Sequence, residues 1–270
     1  MLDAKQDEVL WVEKYRPRKV DDTILPEKTK AIFKKFVSEN NVPNLLLTGG
    51  PGVGKTTIAK AMLNELDCDY IIKNGSLNVN KDAVRHDIST FASAVSLQGG
   101  RKYVIFDEAD YLDATHVQPA LRNFIEEYSS NCGFIFTCNF KNRIISPLRS
   151  RFSEIDFSIE SAEKPKLGVQ FLKRTMAILD AENVQYEKKV LAKVIERHFP
   201  DFRRILTELQ SYAASGKIDE GIFINLKQES VDELFKLLKD KDFSGMRTWV
   251  AKNSDQDMNE MYRRIYDSAK

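Results

Sequence analysis

The residues best placed to do chemistry lie in one short stretch, Thr48 to Thr57, which reads TGGPGVGKTT. Within it Gly49-x-x-x-x-Gly54-Lys55-Thr56 has the spacing of a phosphate-binding loop. In such a loop, main-chain N–H groups converge on phosphate oxygens, assisted by the positive end of the helix that follows. Lys55 supplies a point charge for β- and γ-phosphates, and Thr56 supplies a hydroxyl for Mg²⁺. A second candidate is Asp107-Glu108, at the end of the run Arg101-Lys102-Tyr103-Val104-Ile105-Phe106. One acid there would orient Mg²⁺, and the other would polarise the water that attacks the γ-phosphate. A third is Asn139, at the end of Gly133-Phe134-Ile135-Phe136-Thr137-Cys138. Its parallel with the Asp107 strand points it toward the same phosphate, although an asparagine there can also simply open a loop.

These groups need elements to hold them. Asn44 to Leu47 is short and apolar, as a buried strand is, and Ile58 to Leu63 has helix-forming composition. Further strands are predicted at Tyr70 to Asn74, Arg101 to Glu108, Gly133 to Asn139 and Ile155 to Phe157, alternating with helices over Glu27 to Asn40, Asn80 to Val95 and Thr115 to Tyr128. Ser76 and Asn78 are candidate caps for the second of these helices. Strand, glycine loop and helix in alternation imply an open α/β sheet with ligands at the carboxyl ends of its strands. From Lys166 to Gly216 the pattern is helical, with breaks near Asp180 and at Pro200, so an all-α second domain follows. Asp201 is positioned to cap the helix bearing Arg203 and Arg204, and Gly216 to end it. Another helical stretch covers Ser230 to Asp240.

Composition limits the classes. The 270 residues are 42% hydrophobic and 30% charged, with net charge +1, so binding to nucleic acid must rest on a local patch. No apolar run approaches the ~20 residues needed to cross a membrane, and Met1 to Gln6 lacks a signal-peptide core. Cys68, Cys132 and Cys138 form no C-x-x-C pair, and are expected as free thiols in a cytoplasmic protein. Trp11 to Leu25 reads either as an arm packed on the surface or as an extended arm cradling adenine and ribose. Lys81 and Arg85 share a helical face, as do Gln118 and Arg122. On spacing alone both pairs read as solvated faces, and the arginines of Arg149-Ser150-Arg151 as surface charges.

Lys14-Tyr15-Arg16-Pro17, Gly49 to Thr56, Phe106 to Asp110, Val117 to Arg122, Thr137-Cys138-Asn139, Pro147 to Arg151 and Phe199 to Arg204 occur in one order. Over about 11–221 that constellation resembles the AAA+ ATPase subunits of sliding-clamp loaders, particularly the large subunits of phage T4-type loaders. The resemblance implies an α/β P-loop AAA+ parallel-sheet domain (1–158), a small helical lid domain (159–225) and a partial, collar-like helical segment (226–270). It implies an ATP site of Tyr15, Arg16, Ile24, Gly50, Gly52, Val53, Gly54, Lys55, Thr56, Thr57, Asn139 and Arg203. Mg²⁺ would sit at Thr56 and Asp107, with Glu108 as catalytic base. Asn139 and Arg203 would be the two γ-phosphate sensors. Arg151 would be an arginine finger supplied to a neighbouring subunit. Lys81 and Arg85 would face duplex DNA, with Gln118 and Arg122 coupling DNA to the catalytic acid. The implied activity is DNA-dependent ATP hydrolysis in a machine that opens a sliding clamp and places it on primed template. Its partners would be other loader subunits, including copies of itself, the clamp and primer-template DNA, in the cytoplasm (of the infected host for a phage protein). A helicase loader, a branch-migration motor or a non-catalytic scaffold are the rival expectations. The sequence departs from the family at Phe152, where cysteine is usual, at Pro119, and in a shorter collar.

Overall fold

The computed structural model describes residues 8–77, 81–94, 100–214, 216–222 and 231–252, except for the side chains of 81–85, 231–233 and 252. It divides into two compact units, Met1–Lys217 and Ile218–Lys270. The first is built on five parallel strands: β1 (Leu45–Thr48), β2 (Tyr70–Asn74), β3 (Lys102–Asp107), β4 (Cys132–Cys138) and β5 (Ser153–Asp156), in the order β2-β3-β4-β1-β5. The last strand begins two residues before its predicted start.

Strand period divides the core. Leu46, Val104, Phe106, Phe134 and Phe136 face one side of the sheet, under α4 (Lys81–Ser93) and α5 (Val117–Glu127). Leu45, Leu47, Ile105 and Ile135 face the other, under α2 (Glu27–Ser38) and α3 (Lys55–Glu65). Because both faces are covered, β1 and β4 are continuously buried rather than alternating. Gly133 is required here, since a Cβ would lie 2.4 Å from the Tyr103 ring. The register pairs Thr48 with Cys138, and Phe106 with Phe136. The carboxyl ends of β1, β3 and β4 therefore lie side by side.

Two expectations are corrected. The N-terminal arm is not wholly extended: α1 (Trp11–Lys14) forms one helical turn that buries Trp11. Pro17 restrains Arg16 but leaves residues 11–14 free to coil. A short helix, α6 (Ser146–Arg149), leads into β5, and the helical region after β5 contains α7 (Lys164–Ala181), α8 (Lys188–His198) and α9 (Phe202–Ala213). It also includes a two-residue strand, Gln185–Tyr186, so it is not purely helical. Pro165 and Pro119 both fall in the first turn of a helix, where a missing N–H costs no intrahelical bond. Asp201 caps α9, accepting from the Arg204 amide at 2.9 Å. In the second unit α10 (Val231–Lys239) and α11 (Phe243–Lys252) pack together as a collar-like segment.

Candidate active site

The loop between β1 and α3 turns through Gly52 (φ 69°) and Gly54 (φ 97°), left-handed positions that favour glycine. Gly54 occupies the N-cap of α3, which starts at Lys55. All three donors of the buried Lys55 ammonium are engaged: by Gly49 O at 2.8 Å, Gly50 O at 2.6 Å and Asn139 Oδ1 at 2.9 Å. Burial pulls its pKa below the ordinary lysine value.

At the end of β3, Asp107 Oδ1 accepts from Thr56 Oγ1 at 2.7 Å and from Thr137 Oγ1 at 2.5 Å. Glu108 follows at φ 55° and donates its amide to Thr137 Oγ1 at 3.2 Å. That left-handed position costs a non-glycine residue about 1–2 kcal/mol. It carries the Glu108 side chain to the cleft, where its carboxylate has no hydrogen bond among the described residues. Asp110 is buried and accepts the amides of Asn139 at 3.3 Å and Phe140 at 3.2 Å, fixing the turn that presents Asn139.

The cleft is closed by the arm and by helices α7 and α9. Tyr15, Arg16, Pro17 and Ile24 line it, together with Gly52 to Thr57, Asp107, Glu108, Asn139, Arg174 and Arg203. Gly50 does not line the cleft; it contributes its carbonyl to Lys55. Arg16 Nη1 donates to Thr57 Oγ1 at 3.0 Å, and its Nε to Glu13 at 3.0 Å. Tyr15 OH donates to Glu182 Oε1 at 2.5 Å; burial and that carboxylate push the phenol far above its usual pKa. The Phe202 amide donates to Gly52 O at 3.2 Å, so α9 begins on the phosphate loop itself.

Thr137, Asp110 and Arg174 are site residues that the sequence reading missed. Thr137 is a hydroxyl in an otherwise apolar strand, and Arg174 interrupts the stripe Leu167, Phe171, Ile178 of α7. Those anomalies were the available signals.

Other expected residues lie outside the cleft. Arg151 pairs with Glu126 on α5, its Nε 2.9 Å from Oε1. Arg122 is exposed. Gln118 is not on a solvated face: it is fully buried, with Nε2 donating to Leu112 O and Arg143 O at 2.9 Å each and Oε1 accepting from the Ile145 amide at 2.8 Å. Lys81 and Arg85 share one side of α4, but their side chains lie outside the described residues. Ser76 turns back on Asn74 Oδ1 and caps no helix, and Asn78 lies outside the described residues. Cys68, Cys132 and Cys138 are free. No helix among the described residues is long and apolar enough to cross a membrane.

The hydroxyl of Thr56 and the carboxylate of Asp107 form an all-oxygen set beside the loop, which suits a hard divalent cation. No cluster of three or more His, Cys, Asp or Glu among the described residues could cage a metal alone. A cation here would thus depend on phosphate oxygens for the rest of its shell, as Mg²⁺ commonly does.

A five-stranded parallel sheet with a P-loop after β1, acids after β3 and a helical lid defines an ATPase of the AAA+ class. The model of the ATPase family associated with various cellular activities (AAA) matches residues 45–160. The AAA+ ATPase lid domain of the sliding-clamp-loader large subunit matches residues 163–224. The chain is 36% identical over 257 residues to the sliding-clamp-loader large subunit of Enterobacteria phage T4, covering 93% of this chain and 80% of that protein. It is 34% identical over 244 residues to the replication factor C small subunit of Saccharolobus solfataricus, covering 88% of this chain and 68% of the other. Among solved structures, the Thermotoga maritima RuvB Holliday junction branch migration motor aligns with a TM-score of 0.58 at 19% identity, over 78% of this chain and 71% of that one, which shows a shared fold alone. The chain belongs to the sliding-clamp-loader family of AAA+ ATPases.

Proposed function

We propose that this chain is a DNA-dependent ATPase subunit of a sliding-clamp loader, which opens the clamp with ATP bound and places it on primed template DNA during replication. The observation that carries the reading is its 36% identity, across 93% of its length, to the phage T4 large subunit. The assigned parts are the α/β domain 1–158, the lid 159–225 and the partial collar 226–270.

ATP is the nucleotide this reading assigns, and Mg²⁺ bound with it would neutralise charge on the β- and γ-phosphates. Thr56 and Asp107 fit that ion for the reason given above. Lys55 trades loop carbonyls for phosphate oxygens while keeping Asn139, which ties the sensor to phosphate occupancy. Glu108, whose carboxylate has no hydrogen bond among the described residues, polarises the attacking water. Arg203 reaches the same phosphate from the lid, and Arg151 serves the neighbouring subunit's site. Gln118 transmits strain between the turn after Asp110 and the segment 143–145, next to exposed Arg122. Lys81 and Arg85 contact DNA phosphates without reading sequence. Loader subunits, including copies of this chain, the clamp and primer-template DNA are its partners, and the cytoplasm is its place of action.

The test is ATP hydrolysis by the assembled complex with clamp and primed DNA added separately and together. Stimulation by both together is expected. Equal stimulation by branched junction DNA without clamp would overturn the reading in favour of another AAA+ DNA motor.

A further inference from the structure

We propose that Arg174, on lid helix α7, is the positioning residue for the wall of the cleft that receives the nucleobase. This rests on the nucleotide-site reading above and adds a residue that acts on base recognition through the N-terminal arm.

The Arg174 guanidinium spans two main-chain carbonyls of the arm. Nη2 donates to Tyr15 O at 2.8 Å and Nη1 to Asp22 O at 2.9 Å. Between these points the chain folds into turns, with the Asp22 amide on Lys19 O and the Thr23 amide on Val20 O. Arg174 therefore closes the base of the loop from Tyr15 to Asp22, and the segment that leaves its second anchor, Thr23 to Leu25, lines the cleft. About two turns further on, at the C-cap of α7, Glu182 accepts from Tyr15 OH and Lys14 Nζ. Phe171, Arg174, Ile178 and Glu182 fall at spacings of three and four, on one stripe of the helix. The lid thus grips the arm at two levels two turns apart.

Ile24 gives the grip its consequence. It lines the cleft, and its own N–H and C=O carry no hydrogen bond among the described residues. One peptide strand offers a donor and an acceptor to whatever base enters. Adenine presents an amino donor where guanine presents a carbonyl acceptor, so a main-chain donor–acceptor pair can separate them only if its position is fixed. Arg174 fixes it. A planar fork holds two carbonyls at a set separation, which an ammonium cannot do. Triphosphate recognition falls to Lys55 and the loop amides, and Lys55 shares no hydrogen-bond partner with Arg174.

The experiment uses the purified full chain and displacement of a fluorescent ATP analogue by ATP, GTP and inorganic tripolyphosphate, for wild type, Arg174→Met and Arg174→Lys. Thermal melting without nucleotide is measured alongside. For Arg174→Met, ATP affinity is expected to fall about tenfold, tripolyphosphate affinity to stay within about twofold, and the preference for ATP over GTP to shrink toward one. Arg174→Lys recovers part of that preference. Parallel weakening of ATP and tripolyphosphate, or an unchanged ATP-to-GTP ratio, would overturn the proposal. If the methionine variant does not fold, the lysine variant decides by the same ratio. A wild-type chain that binds neither ATP nor tripolyphosphate would instead remove the nucleotide-site reading, and this inference with it.

Discussion

Thr56 Oγ1 donates to Asp107 Oδ1 over 2.7 Å, which joins the first turn of α3 to the last residue of β3. A hydroxyl that donates its proton in a fixed direction keeps its lone pairs in fixed directions too. Thr56 can therefore ligate a cation without giving up Asp107, and Asp107 aims it. Asp107→Asn weakens that acceptor and removes the charge. ATP hydrolysis measured over a Mg²⁺ series should fall about 10²-fold at saturation, with the Mg²⁺ midpoint moved upward. Thr56→Ser, which keeps the hydroxyl, should stay within about threefold of wild type. Equal losses in the two variants would count against ligation by Thr56.

The contact between Gly52 and the start of α9 yields a second prediction. A Cβ at Gly52 would stand 1.8 Å from Asp201 Oδ1, at a φ of 69° that already disfavours any side chain. Gly52→Ala should cost about 1–3 kcal/mol, read as a lower melting temperature, with weakened nucleotide binding as the lid is pushed off the loop. Asp201→Ala alone loses the α9 cap, worth about 1 kcal/mol. The double variant should melt higher than the sum of the two losses, because the second change removes the atom the first one strikes. Strict additivity would mean that the loop and α9 do not touch in solution.

Much of this site is legible in the sequence because its signals are local. The P-loop, Asp107-Glu108 and Asn139 each lie at the end of a short apolar run, and parallel strands put such ends side by side. For Gln118, spacing alone points to the wrong face. Pairing it with Arg122 at four residues suggested one polar face, but Gln118, Leu121 and Ile125 also fall at three and seven, on the buried stripe. Thr137 and Arg174 stand out only as polar groups in apolar patterns, and their roles are not legible because the partners come from folding: Asp107 lies 30 residues from Thr137, and Tyr15 lies 159 from Arg174. The short helix at Trp11 depends on packing too, since Gln210 of α9 accepts its amide at 2.9 Å.

Acid should loosen the lid through Glu208. Burial raises the Glu208 carboxyl, but His198, 3.0 Å away on α8, and Arg204, 3.1 Å away on α9, outweigh it and hold the pKa below the ordinary value. A depressed carboxylate stabilises the fold fully above the unfolded pKa of about 4.3, and the contribution is lost as pH falls through the folded value. The melting temperature should therefore drop below about pH 5, and more steeply for wild type than for Glu208→Gln. Identical pH profiles would show that the contact between α8 and α9 contributes nothing through its charge.

Arg151 is held within its own chain by Glu126, and it lowers the pKa of that carboxyl. An arginine that serves a neighbouring site must exchange this partner for phosphate. Glu126 is exposed, so water screens the pair and the exchange is not costly beside a transition-state contact that gives about 10³–10⁵ in rate in related NTPases. Two consequences can be measured on assembled complexes. Glu126→Gln releases Arg151 and should keep or raise hydrolysis, whereas Arg151→Ala should lower it about 10³-fold with nucleotide affinity within about threefold of wild type. Mixing Arg151→Ala subunits into wild type should then silence sites whose own residues are intact, and activity should fall faster than the mutant fraction if firing is coordinated around the ring. A loss in strict proportion, together with normal hydrolysis by isolated subunits, would mean that each chain completes its own site and that Arg151 belongs only to the surface pair with Glu126.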